Sequence, residues 1–62
     1  MYIGIVRTGI YEDKEWRIVY AGKSLDKCTS LVLAWENVKD ATFGTMETWS
    51  KGKLIKETEI FS

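Results

Sequence analysis

The sequence predicts an α+β fold: a four-stranded antiparallel sheet with one helix in the order ββαββ, a two-layer sandwich. Three observations predict it. Residues 15–21 alternate apolar and polar with period two, Leu25, Cys28, Val32 and Trp35 recur at helical spacing, and Lys51-Gly52 interrupts two strand-like runs. The expected boundaries are a hairpin over about residues 2–21, a helix over about 24–38 and a hairpin over about 41–61, all in one domain.

The first strand is read from Tyr2 to Ile10, where β-branched residues dominate and Gly4 and Gly9 interrupt. Either glycine marks a bulge or a close backbone approach. Glu12-Asp13-Lys14 reads as a turn. In the strand that follows, Trp16, Ile18 and Tyr20 are expected on one face, with Glu15, Arg17 and Val19 on the other. Gly22 ends it. Ser24 is a good N-cap, and Asp26 places a negative charge in the first helical turn. Leu31 and Val38 widen the apolar stripe, Leu33 faces away from it, and the helix should stop near Lys39-Asp40. In the last hairpin, a two-residue loop at Lys51-Gly52 opposes Trp49 to Leu54, Glu47 to Lys56, Thr45 to Thr58 and Phe43 to Ile60. Each of these is a favourable cross-strand pair. Phe43, Trp49, Leu54 and Ile60 then share one face, and Met46, Ile55 and Phe61 the other.

Sixty-two residues support one small core, and such a chain commonly leans on a disulfide, a metal or a partner. The sequence holds a single cysteine, Cys28, and no histidine, so an internal disulfide is impossible and a zinc site lacks ligands. No cofactor is expected. Packing or self-association remains, and a homodimer or larger oligomer is the expectation, built by stacking sheets or pairing edge strands.

The same residues bound the chemistry. General acid–base catalysis most often uses histidine, which is absent. Glu12/Asp13 and Glu57/Glu59 read as solvated pairs, and Cys28 lies on the apolar stripe as a core residue. Ala21-Gly22-Lys23-Ser24 lacks the upstream glycine of a phosphate loop. The chain is therefore expected not to be an enzyme. Nine Lys plus Arg balance nine Asp plus Glu, which argues against nucleic acid as the main partner. A single-strand binder would use Tyr2, Arg7, Trp16, Arg17 and Tyr20, but Trp16 and Arg17 should point to opposite faces. No apolar run is long enough to span a bilayer, and the N-terminus has no signal-peptide pattern. With an unpaired thiol, these features lead to the expectation of a complete, cytoplasmic gene product.

One helix cannot cover both faces of four strands. The uncovered face is expected to be an interaction surface, with Trp16, Arg17, Tyr20, Met46, Trp49, Ile55 and Phe61 as candidates.

Glu47-Thr48-Trp49-Ser50-Lys51-Gly52-Lys53-Leu54-Ile55 resembles the closing hairpin, of the form E-T-W-x-x-G-K-L-I, of short bacteriophage-encoded accessory proteins. The likeness covers the last third of the chain in motif and the remainder in element order. It implies a host-takeover or anti-defence role. The protein would bind and inhibit a host protein, acting in the host cytoplasm. An oligomeric sponge for a nucleotide-like molecule is the alternative.

Overall fold

A computed structural model describes residues 1–9, 15–38 and 41–62. The expected turn at Glu12-Asp13-Lys14 and the expected helix end at Lys39-Asp40 lie outside these residues. Four strands, β1 (Tyr2–Thr8), β2 (Glu15–Gly22), β3 (Ala41–Ser50) and β4 (Lys53–Phe61), form one antiparallel sheet of order β2-β1-β3-β4. Among the described residues there is one helix, α1 (Leu25–Leu33), which lies between β2 and β3 in the chain and covers one face of the sheet. The fold is the α+β arrangement that the periodicities predict.

Side-chain alternation makes the sheet two-faced. Gly4, Val6 and Thr8 of β1 and Gly44 and Met46 of β3 are buried on the helix side. Val6 and Val32 are fully buried and form the core with Phe61, and Val19, Trp35, Ala41 and Ile60 pack around them. Gly4 and Gly44 permit the helix to sit this close. A Cβ on Gly4 would lie 2.7 Å from Val32 and 3.2 Å from Cys28.

The helix starts where expected. Ser24 is extended (φ −97°, ψ 112°), and its hydroxyl accepts from the Lys27 backbone N–H at 3.2 Å. The end is earlier than expected. Regular α-helix stops at Leu33, and Trp35, Glu36 and Val38 donate to carbonyls three residues back. This tighter winding carries the half-buried Trp35 back against the core and feeds the chain toward β3. The apolar stripe narrows accordingly: Cys28 and Val32 are fully buried, whereas Leu25, Leu31 and Val38 are exposed. Leu33 faces outward as expected.

The closing hairpin has the predicted two-residue turn. Lys51 (φ 52°) and Gly52 (φ 75°) are both left-handed, the conformation a tight hairpin of this length demands. Trp49 opposes Leu54 and Ser50 opposes Lys53. Beyond them the register departs from the expected one. Ile55 is an extra residue on β4, so Thr48 faces Lys56, Met46 faces Thr58, Glu47 faces Glu57 and Thr45 faces Glu59. A second extra residue, Ile60, then brings Phe61 opposite Gly44. The cause is the core: Phe61 fills the space that Gly44 leaves beside Val32. An extra residue also falls at Val19 of β2, which turns Tyr20 to the helix side opposite Gly4 and away from the face of Trp16 and Ile18.

Candidate functional site: the open face of the sheet

Opposite the helix, the odd-numbered residues of β1 project from the sheet. Ile5 is paired with Ile18 and Thr45, while Arg7 is paired with Trp16 on one side and Phe43 on the other. The Trp16 and Phe43 rings meet edge to face at 6.4 Å, and the Arg7 guanidinium carbon lies 5.5 Å from the Trp16 ring centre. Among the described residues, the buried Arg7 Nε has no hydrogen-bond partner. The cation is held by the aromatic face, an attraction of about 0.5–2 kcal/mol depending on solvent exposure.

At the hairpin end, Trp49 and Leu54 form an apolar cross-strand pair. The Trp49 indole N–H donates to a Glu47 carboxylate oxygen at 3.1 Å, and the Met1 ammonium donates to the Trp49 carbonyl at 2.9 Å. A hollow of about 500 Å³ opens here between Met1, Ile3, Trp49 and the turn Ser50-Lys51-Gly52. A second, of about 430 Å³, lies mid-sheet and is lined by Ile5, Trp16, Ile18, Thr45, Glu47 and Glu57. One wall of this hollow is apolar and the other carries two carboxylates.

Large apolar groups on this side stay in water: Trp16 is 60% exposed and Ile18 70%. The seven residues expected at an interaction surface are split by the fold. Trp16 and Trp49 lie on the open face. Met46 and Phe61, at 7% and 8% exposure, lie beneath the helix and build the core, so the free chain does not present them. Tyr20 is also on the helix side, where its hydroxyl accepts from the Ser24 N–H at 3.0 Å. Arg17 shares the side of its pair partner Val6, at the edge of the sheet, where it meets Glu15 at 3.5 Å. Ile55 is the extra residue of the β4 bulge and is 62% exposed.

Residues outside the seven candidates complete the face. Ile5 and Phe43 alternate correctly, and their placement needed only the knowledge of which face the helix takes. Glu47 alternates with Phe43 and Trp49 in the same way, and Glu57 needed the bulge as well. Among the described residues, no group of three or more cysteine or carboxylate side chains is placed to hold a metal ion, and no helix is long and apolar enough to cross a membrane. Comparison with protein-family models, curated proteins and solved structures gave no match.

Proposed function

We propose that the protein is a non-enzymatic binding module that docks a protein partner on the open face of its sheet, and acts by occupying that partner. The single observation that carries this reading is the exposure of Trp16 and Ile18 beside the Arg7–Trp16–Phe43 cluster. Tryptophan and arginine in pre-arranged apolar surroundings are the residues that most often dominate binding energy. A preformed rigid sheet loses little freedom on association, which favours affinity. An inhibitory role is the one implied by the phage-like closing hairpin.

The test is capture of a partner by the immobilised chain from its source cells, followed by affinity measurement with the purified partner. Trp16→Ala should weaken binding by at least about tenfold. Leu33→Ser, on the outer side of the helix, should leave it within about twofold, as expected for a site outside the interface. A partner whose affinity falls with Leu33→Ser and not with Trp16→Ala would overturn the assignment of the face.

A further inference from the structure

Resting on the reading above, we infer that the segment seated on the open face carries an arginine or lysine between apolar side chains, and that this cation enters the hollow between Trp16 and Ile18 on one side and Glu47 and Glu57 on the other. The hollow has the two halves such a side chain needs. Ile5, Trp16 and Ile18 offer an apolar wall for the aliphatic stem. Glu47, which also accepts from the Trp49 indole N–H, and Glu57 offer two carboxylates on its other side.

Among the described residues, neither carboxylate has a counter-charge beside it. Glu47 and Glu57 are direct cross-strand partners, an arrangement that is repulsive. Glu59 follows two residues along the same face of β4. Among the described residues, the ion pair within 4.0 Å is Arg17–Glu15, so neither Glu47 nor Glu57 has a basic group at that distance. Arg7 is held by Trp16, two residue pairs further along β1 and β2 than the Ile5–Ile18 pair that lines the hollow.

Charge also separates this occupant from the others. A second copy stacked face to face about an axis along the strands would set β2 over β4, burying Glu57 and Glu59 against Trp16 and Ile18. An axis across the strands would set β4 over β4 and bring like carboxylates together, which opposes association. Edge pairing is no easier. β4 carries two bulges with Lys53 and Lys56, and β2 carries one bulge; both devices blunt edges. Single-stranded nucleic acid would bring phosphates to Glu47, Glu57 and Glu59, against the charge pattern of known binders.

The test uses the isotope-labelled full chain and three capped hexapeptides alternating valine with arginine, with citrulline or with glutamate. Citrulline keeps the shape of arginine without its charge. The arginine peptide should shift the amides of Ile5, Ile18, Thr45, Glu47 and Glu57 and the Trp16 indole. It should bind at least about tenfold more tightly than the citrulline peptide at low salt, and lose most of that margin between about 50 and about 500 mM salt. Glu47→Gln and Glu57→Gln together should abolish the margin while the fold, followed by the amide spectrum, persists. Equal binding of arginine and citrulline peptides, shifts elsewhere, or no binding of the arginine peptide at millimolar concentration would overturn the inference. So would a homodimer that Trp16→Ala dissociates, or oligothymidine binding that Trp16→Ala abolishes. Failure here with Trp16-dependent capture of a partner intact would remove the cation and leave the docking face; loss of both would remove the docking face too.

Discussion

Glu47 and Glu57 face each other across β3 and β4, where an uninterrupted hairpin from the same turn would have paired Glu47 with Lys56. The bulge at Ile55 thus exchanges an attractive pair for a repulsive one and moves Lys56 to the other side of the sheet. Restoring attraction should stabilise the fold. Glu57→Lys is expected to raise unfolding free energy by about 0.3–1 kcal/mol, the range for cross-strand charge pairs. Urea denaturation at low and high salt checks this, since the gain should shrink as salt screens it. The same substitution should abolish binding of the arginine peptide, so stability and binding are expected to move in opposite directions.

A second expectation concerns Gly44. A Cβ there would lie 2.8 Å from Val32 and closer still to the Phe61 ring, with both neighbours in the core. Gly44→Ala should therefore destabilise by about 1–3 kcal/mol, the usual penalty for overpacking. Trimming the neighbour should return part of that loss: Phe61→Leu is expected to cost less in the Gly44→Ala background than in the native chain. A double-mutant cycle by urea denaturation measures this coupling, and strict additivity would show that Gly44 and Phe61 do not constrain each other.

That contact also explains which parts of the fold were legible in the sequence. Local signals carried through: the Ser24 cap, the Lys51-Gly52 turn, the Cys28/Val32 stripe and the alternation of Trp16 with Ile18 each depend on residues a few positions apart. The bulges at Val19, Ile55 and Ile60 do not. The shift at Ile60 brings Phe61 opposite Gly44, where the missing side chain leaves room beside Val32, a relation between residues far apart in the chain. A one-residue shift reverses every later side chain. Trp16 with Ile18, and Trp49 with Leu54, were therefore readable as two separate pairs, whereas their sharing of the open face was not. Nor was the placement of Glu57, Tyr20 and Ile60. Strand order was equally hidden, because nothing local to Tyr2–Thr8 or Ala41–Ser50 says that β1 and β3 pair.

Tyr20 and Ser24 offer a third expectation, at the joint between β2 and α1. The Tyr20 hydroxyl accepts from the Ser24 N–H, while the Ser24 hydroxyl accepts from the Lys27 N–H. Ser24→Ala removes the cap and should cost about 1 kcal/mol. Tyr20→Phe leaves the half-buried Ser24 N–H without its partner and should cost about 1 kcal/mol as well. For a domain of this size, each loss should lower Tm by roughly 4–8 °C. Calorimetry on the two variants checks both values. An unchanged Tm in Tyr20→Phe would mean that water replaces the phenol at Ser24.

The last expectation is a pH dependence centred on Cys28. Its side chain is fully buried against Gly4 and the helix side of the sheet, and burial pushes the thiol up from its ordinary value of 9.0. The folded chain therefore holds this proton to higher pH than the unfolded chain does. Below about pH 9 both states are protonated and the full native stability is present. As pH rises above that value the unfolded state ionises first, and stability falls until the folded thiol also loses its proton. Cys28→Ala should remove this component of the alkaline loss while leaving that of other groups. The difference between native chain and variant, measured by urea denaturation from about pH 8 to about pH 10.5, isolates it from lysine and tyrosine titration. The same burial should make Cys28 unreactive toward a disulfide reagent in the native state, with a rate suppressed about a thousandfold or more relative to the chain in denaturant. A thiol that reacts at the unfolded rate at about pH 8, or an alkaline transition identical in Cys28→Ala, would show that the helix opens over Gly4 far more readily than its packing implies.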